Sequence, residues 1–246
     1  MNTSGKDGSA YTKRVPATIA GSLSRAGLLC LLGMGLLFSL SGCTLWTVRS
    51  LHPAEGTDTA GSAVPGQPGF KGTAYVDSIW QSKVLPTVDQ SATDLATLLT
   101  ALKSDLAGAK QKYGHREGQR PYNFLVKGEA KVLSVDTASR AGTMKLDLAP
   151  GDGQPDASMQ TGPVIRGTSV RDALPFIQFN LFTNQLEYAD VSNALNDRLI
   201  KDVTGTLDLA SLTGKTIDFE GAFTLEEGAS LSNVLITPVK ITVNEK

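Results

Sequence analysis

The segment Tyr122-Asn123-Phe124-Leu125-Val126-Lys127-Gly128 marks the point at which the hydrophobic period of the chain changes from helical to alternating. Tyr122, Phe124 and Val126 occupy every second position, which is the period of a β-strand. Gly128 interrupts the pattern where a β-bulge would fit, and residues 132–135 continue in the extended sense. We therefore predict a long, bent first strand.

Alternation recurs in four segments downstream of this strand. After a turn at residues 136–142, apolar side chains alternate over residues 144–148, and a third strand is predicted at residues 157–165. A helical pattern at residues 190–203 comes before two more strands at residues 215–225 and 234–243. The order of three strands, a helix and two strands predicts an α+β fold, an OB-like five-stranded antiparallel barrel with an inserted helix.

Two helices are predicted upstream of the first strand. Thr73 is placed to cap the first helix, and Pro86 is expected to end it. The second runs from about Ser91 to Gly114 and carries a stripe of leucines at helical spacing. That stripe favours packing in a core, with a partner-binding face as the alternative. Its members are Leu95, Leu98, Leu99, Leu102 and Leu106.

The N-terminal region has the features of an export signal. Basic residues precede an apolar run at residues 26–40, which is too short to span a bilayer comfortably. The sequence Leu40-Ser41-Gly42-Cys43 resembles the lipobox of bacterial lipoproteins, which implies that Cys43 is lipidated and becomes the first residue of the mature chain. We expect a removed signal peptide at residues 1–42, a lipid-anchored flexible tether at residues 43–72 and one domain at residues 73–246.

Composition excludes several functional classes. Cys30 leaves with the signal and Cys43 carries lipid, so no thiol remains for a disulfide, a thiolate metal site or catalysis. The mature chain keeps 19 basic and 23 acidic residues, and this net charge of −4 opposes nucleic-acid binding. Gly214-Lys215-Thr216 resembles the end of a P-loop, but the chain has Leu209 where that motif needs its first glycine, and a strand is predicted where the motif needs a helix. We expect no enzyme activity, metal or cofactor, although a hydrolase that uses carboxylates stays an alternative.

The segment from Gln160 to Asp190 is rich in groups that recognise ligands. Guanidinium groups suit carboxylates or phosphates, and carboxylates and amides can bind hydroxyl groups. With four aromatic residues nearby, this mixture predicts a pocket for a small polar ligand such as a sugar. The alternative is that the arginines pair with Asp172 or Glu187 and the amides cap turns. The candidate residues are Arg166, Arg171, Asp172, Asn180, Asn184 and Gln185, with Phe176, Phe179, Phe182 and Tyr188 as the aromatic residues.

The middle segment gives a weaker indication of secondary structure. Ser169 and Asp172 stand at capping-box spacing before a short helix that Pro175 would break. Residues 176–182 are compatible with either a strand or a helix.

Several motifs together resemble one known family, the predicted bacterial periplasmic lipoproteins of domain of unknown function 2291. Besides the lipobox, they are Tyr75-Val76-Asp77-Ser78-Ile79-Trp80, the segment 122–128 quoted above, Gly162-Pro163-Val164-Ile165-Arg166-Gly167-Thr168 and Asn184-Gln185. The resemblance implies a position in the cell envelope, facing the periplasm or the exterior. It also implies an accessory role beside a sugar ABC transporter, with the permease, the binding protein or a sugar as partner. An envelope scaffold or assembly factor without a ligand is the alternative.

Overall fold

The computed structural model describes residues 61–244, and within them five strands form a closed ring. The strands are β1 (Thr93–Asp94), β2 (Gly114–His115), β3 (Tyr122–Val135), β4 (Thr143–Leu148), β5 (Ala157–Gln160), β6 (Thr216–Leu225) and β7 (Val234–Asn244). In the ring each strand is hydrogen-bonded to the next in the order β3, β4, β5, β7, β6, and β6 pairs with β3 to close it. The two short strands β1 and β2 also pair with β3.

The predicted order of strands is confirmed, but the prediction that all of them are antiparallel is wrong. Four of the pairings in the ring are antiparallel, whereas β5 and β7 run parallel, with Ala157 opposite Val234 and Met159 opposite Ile236. Parallel neighbours need a long crossover, and the chain between β5 and β7 includes the inserted helices and the whole of β6. Local alternation carries no information about the direction of a partner strand.

The interior of the ring holds one of two hydrophobic cores. The rings of Phe124 on β3 and Phe223 on β6 stack with their centroids 5.1 Å apart, and both side chains are completely buried. Met144, Leu146 and Ile236 from other strands pack into the same core. Because alternate residues of each strand face this interior, the period-two pattern is the sequence signal that specifies it.

Gly128 does not form the predicted β-bulge. The pairing of β3 with β6 is continuous from Tyr122 to Lys131, and Gly128 lies opposite Phe219 in regular register. A Cβ atom at position 128 would stand 3.3 Å from the Phe219 ring, so the glycine makes room for that ring. The irregularity of β3 lies further along, between Val132 and Ser134 where it pairs with β4.

The first helical region starts and ends differently from the prediction. It comprises α1 (Gly72–Ile79), a π-helical turn (Trp80–Val84) and α2 (Leu85–Ser91), and Pro86 does not end it. In a regular α-helix the ring of Pro86 would clash with the turn that precedes it. Here the preceding turn is the wider π turn Trp80–Val84, which accommodates the ring. Thr73 is not the cap either, because the Gly72 N–H donates to Asp190 Oδ2 at 2.6 Å.

The leucine stripe lies on two helices rather than one. These are α3 (Leu95–Ser104) and α4 (Leu106–Tyr113), separated at Asp105, whose side chain accepts from the Gly108 N–H and caps the second helix. The first four leucines of the stripe are buried in the interior core, which confirms the packing interpretation for them. Leu106 lies beyond the break and is 46% exposed.

The second core lies between the outer face of the ring and the remaining helices. Leu125, Ala222 and Val239 point out of the ring and pack against α1, α2, α5 (Ser169–Ala173) and α6 (Gln185–Asp202). Helix α6 starts five residues before the predicted point, because Asn184 Oδ1 accepts from the backbone N–H groups of Leu186 and Glu187. Residues 176–182, for which strand and helix were both open, contain only a short 3₁₀ turn, Phe179–Leu181.

Residues 61–71, which the composition placed in the flexible tether, pack against the domain. Ser62 and Phe70 form a bridge, and the Phe70 ring lies edge-on to Phe182 with centroids 5.7 Å apart. Phe70, the single large aromatic residue of this Gly- and Pro-rich segment, thus packs the segment against the domain. The predicted signal peptide, Cys43 and the tether before Gly61 lie outside the described residues.

Candidate functional site

A polar cavity of about 280 Å³ opens between the start of β3, the loop after β5, helix α5 and the adjoining ends of β6 and β7. Ten of its thirteen lining residues carry a polar or charged side chain. A larger depression of about 380 Å³ crosses the outer face of the sheet at Lys127, Glu220 and Lys240. There Glu220 is already paired with Lys240, at 3.8 Å. We therefore take the polar cavity as the candidate site.

Gln160, at the end of β5, organises the floor of the polar cavity. Its Nε2 donates to Thr237 Oγ1 at 2.8 Å and to the Arg166 carbonyl at 2.9 Å, while its Oε1 accepts from the Arg166 N–H at 2.8 Å. One buried side chain therefore holds the loop after β5 against β7. The strand predicted at residues 157–165 ends at Gln160. Beyond it the chain turns at Gly162, which lies so close to Gly142 that a Cβ atom at position 162 would be 2.3 Å from the Gly142 N atom.

The floor of the cavity has a hydroxyl hydrogen to spare. Thr237 is 2% exposed, and its Oγ1 lies 2.9 Å from Ser169 Oγ as well as accepting from Gln160. Each hydroxyl supplies a single hydrogen, and Ser169 Oγ donates its hydrogen to Thr237 Oγ1. The Thr237 hydrogen has no hydrogen-bond acceptor among residues 61–244, and both side chains line the cavity. A buried donor without a partner costs free energy, which an acceptor in the cavity would recover.

A network of charges forms one wall of the cavity around Asp172. Its Oδ1 accepts from Arg171 Nε at 2.8 Å and from the Tyr188 hydroxyl at 3.1 Å, and its Oδ2 accepts from Thr168 Oγ1 at 2.5 Å. Arg171 is buried, with its guanidinium 3.7 Å from the centroid of the Tyr188 ring. Arg120 Nη1 also donates to the Tyr188 hydroxyl, at 3.1 Å. Asp172, Arg171, Tyr188 and Arg120 each contact more than one member of this wall.

The environment of Tyr188 keeps its hydroxyl protonated. Burial, followed by the negative charge of Asp172, raises the pKa of Tyr188 to about 12, against the opposing effect of Arg171 and Arg120. At neutral pH the hydroxyl is therefore a hydrogen-bond donor to Asp172. Its part in the wall is structural, since a phenol with so high a pKa is a poor general base.

The six predicted site residues separate into two groups. Arg166 and Asp172 line the polar cavity, and Arg171 lies behind Asp172. Arg171 is paired with Asp172, as the structural alternative predicted, but Arg166 forms no ion pair with any residue that the structure describes. Three residues lie outside the cavity lining: Asn180, Asn184, which caps α6, and Gln185.

Several polar residues of the cavity were not site candidates from the sequence. Among them, Arg120 lies in the loop before β3, Asn123 in β3, Thr224 in β6 and Thr237 in β7. Asn123 is buried, and its Oδ1 accepts from Thr224 Oγ1 at 2.6 Å across the strand pair. The one local signal of the cavity was the polar residue Asn123 within a predicted strand, and that signal points to a site only when the strand pairing is known.

The described residues contain no group of three or more His, Cys, Asp or Glu side chains that could hold a metal ion. In residues 61–244 no helix combines the length and the apolar character needed to cross a membrane.

Comparison with known proteins connects the chain to one family and one fold. The family model described as "Predicted periplasmic lipoprotein (DUF2291)" matches residues 34–242. The crystal structure of an OB-fold protein from Thermotoga maritima resembles this chain with a TM-score of 0.60 and 17% sequence identity, over 72% of this chain and 99% of that one. No curated protein matches the sequence. The structural likeness supports the fold alone.

Proposed function

This chain belongs to the DUF2291 family of predicted periplasmic lipoproteins, and from that premise we propose that it is a lipid-anchored binding protein of the cell envelope. In this proposal Cys43 carries the lipid, the ring is an OB-type barrel, and the polar cavity binds a small sugar. The protein would serve as an accessory to a sugar ABC transporter and would not act as an enzyme.

The observation that carries the proposal is the unused hydrogen-bonding capacity of the cavity. The floor offers the buried hydroxyl hydrogen of Thr237, and the rim offers the guanidinium of Arg166, which has no ion pair among residues 61–244. Glu226, also in the lining and exposed, supplies an acceptor. A sugar hydroxyl both donates and accepts, so a cluster of sugar hydroxyls matches this mixture of groups.

The size and composition of the cavity support a small ligand. Ligand pockets usually measure about 300 to 1,000 Å³, and a cavity of about 280 Å³ lies just below that range. This favours a monosaccharide or its phosphate over an oligosaccharide. Leu235 and Pro121 supply limited apolar surface for the face of a sugar ring.

The state of Asp172 supports binding rather than catalysis. General acid or base catalysis needs a carboxylate that can exchange a proton with the substrate. Both oxygens of Asp172 already accept hydrogen bonds, from Arg171 and Tyr188 on one side and from Thr168 on the other. This arrangement suits a hydrogen-bond acceptor that holds its neighbours in place.

The test is thermal unfolding of the mature protein in detergent, with and without pentoses, hexoses and sugar phosphates. A ligand at a hundred times its dissociation constant stabilises by about 2.7 kcal/mol, which for a domain of this size raises the Tm by roughly 5 to 10 °C. Arg166→Ala should reduce the shift, and Arg140→Ala, which removes an exposed arginine outside the cavity lining, should not. No shift with any sugar would refute the ligand part of the proposal.

The transporter role has a separate test. After crosslinking in native membranes, a permease or binding protein of a sugar transporter should be enriched with this protein. If no transporter component is enriched, and a deletion strain takes up sugar normally but has an altered envelope, the protein is an envelope scaffold instead.

A further inference from the structure

Two segments of the chain that touch each other contain no charged residue. Residues 61–70 and residues 173–186 together comprise 24 positions without an Asp, Glu, Lys or Arg, in a chain of which 19% is charged. They meet through the Phe70 and Phe182 rings, whose centroids are 5.7 Å apart. We call the exposed side of these two segments the uncharged surface.

The uncharged surface also exposes large apolar side chains. Of the five large hydrophobic residues that are exposed in the described part of the chain, three belong to it: Val64, Leu181 and Leu186, with 57%, 47% and 81% of their area accessible. Leu186 lies in the first turn of α6, next to the capping residue Asn184. A single exposed leucine is ordinary, but three exposed apolar residues in two touching segments that contain no charged residue of their own indicate a contact.

Glu187, one of the two carboxylates that flank residues 173–186 in the sequence, forms no ion pair with any residue that the structure describes. Glu187 Oε2 accepts from the Thr183 N–H at 3.0 Å and from the Gly66 N–H at 3.4 Å. The side chain that borders the surface thus fastens the two segments to each other. The surface consequently presents aliphatic groups together with the neutral side chains of Thr183, Asn184 and Gln185.

The uncharged surface lies close in sequence to the lipid-modified cysteine of the proposed function, so it can reach the membrane. Its first segment begins at Gly61, and only residues 44–60 separate that point from Cys43. A chain of this length spans at most about 60 Å, so the bilayer that holds the lipid is always within reach of this end of the domain. A high effective concentration allows a weak contact to form when it is intramolecular.

We propose that the uncharged surface rests on the interface of the phospholipid bilayer, so that the lipid-anchored domain is held in one preferred orientation. This inference depends on the lipid anchor of the proposed function but not on the sugar. Val64, Leu181 and Leu186 enter the boundary between headgroups and acyl chains, where apolar side chains are favoured.

The test places an environment-sensitive fluorophore on a cysteine introduced at position 186. Because the only other cysteine of the mature chain, Cys43, is blocked by lipid, Leu186→Cys can be labelled specifically. The lipidated protein is incorporated in vesicles of phosphatidylethanolamine and phosphatidylglycerol, with or without a spin-labelled lipid as quencher. The matched control is Leu106→Cys, at a leucine that is 46% exposed on a different helix.

We expect a blue shift of emission and several-fold quenching at position 186, and neither at position 106. Equal quenching at both positions, or none at either in protein that floats with the vesicles, would overturn the preferred orientation and leave the anchor intact. Protein that does not float with vesicles would overturn the anchor itself, and the inference with it. A shift that needs native membranes, and is absent from vesicles, would assign the surface to a protein partner and refute contact with lipid.

Discussion

Thr237 shows how much of the candidate site depends on one side chain. Its hydroxyl oxygen accepts from Gln160 and lies within hydrogen-bonding distance of Ser169, so it connects β7 to β5 and to α5. Gln160 in turn holds both polar backbone groups of Arg166. The position of the Arg166 guanidinium at the rim therefore traces back to a buried hydroxyl at the floor.

We predict that Thr237→Val destabilises the protein by about 1 to 3 kcal/mol, because valine has the same shape but leaves the Gln160 and Ser169 donors without an acceptor. Denaturant unfolding measures the loss. Thr242→Val, at an exposed position on the same strand, is the control and should change stability by less than about 0.5 kcal/mol. Equal effects of the two substitutions would contradict the role of the buried network.

Tyr188 leads to a prediction about alkaline pH. Its pKa in the folded protein is about 12, above the ordinary value of 10.0 for tyrosine. Above pH 10 the unfolded chain loses this proton while the folded protein keeps it, so the associated stability is complete below pH 10 and falls as the pH rises towards 12. The difference in unfolding free energy between the wild type and Tyr188→Phe should therefore shrink from pH 9 to pH 11, as measured in urea. A difference that does not change with pH would be the contrary result.

At the scale of elements, helix α1 obtains its cap from another helix. Asp190, in α6, accepts from the Gly72 N–H at 2.6 Å, and the two residues are 118 positions apart in the sequence. A Cβ at position 72 would lie 2.6 Å from the Asp190 carbonyl carbon, so the approach is as close as glycine allows. The segment of residues 61–71 is therefore joined to the rest of the domain at the start of α1.

Asp190→Ala should lower stability by about 1 kcal/mol, since it removes a carboxylate that caps a helix N-terminus. Asp197→Ala, at an exposed position of the same helix, makes the same change in charge and helix propensity and is the matched control. Chemical denaturation of both variants gives the comparison. If the two lose the same amount, the contact between α6 and Gly72 contributes nothing measurable.

At the scale of the whole molecule, two hydrophobic cores share the wall of the ring. Phe124 points into the interior core and its neighbour Leu125 into the core beneath the helices. The same alternation places Phe223 inside the ring and Ala222 outside it. Loss of β3 or β6 would consequently open both cores together.

We therefore predict a single cooperative unfolding transition. Trp80 is buried in the outer core, and a Trp46→Phe variant leaves it as the only tryptophan. Its fluorescence should report the same denaturation midpoint as the far-ultraviolet circular dichroism, which follows the whole domain. Separate midpoints would show that the helices come away from the ring before the strands unfold.

Prediction from the sequence succeeded where a pattern is local. The alternation of Ile217, Phe219 and Phe223 identified β6, and the spacing of the first four leucines identified buried helix faces. It failed where a remote partner decides the outcome. Pro86 is accommodated by a π turn, Gly128 faces the Phe219 ring, and β5 runs parallel to a strand more than seventy residues away.

The sequence by itself determined the order of the strands, the burial of the first four leucines of the stripe, and the motifs that carry the family resemblance, because each of these depends on the spacing of neighbouring residues. Only the tertiary structure decided which polar residues meet. It joined Gln160, Ser169 and Thr237 in one floor, paired Arg171 with Asp172, left Arg166 at the rim, and kept Asn180, Asn184 and Gln185 out of the cavity. The physical reason is that such a site depends on strand register and direction, which close the ring and which no local pattern encodes.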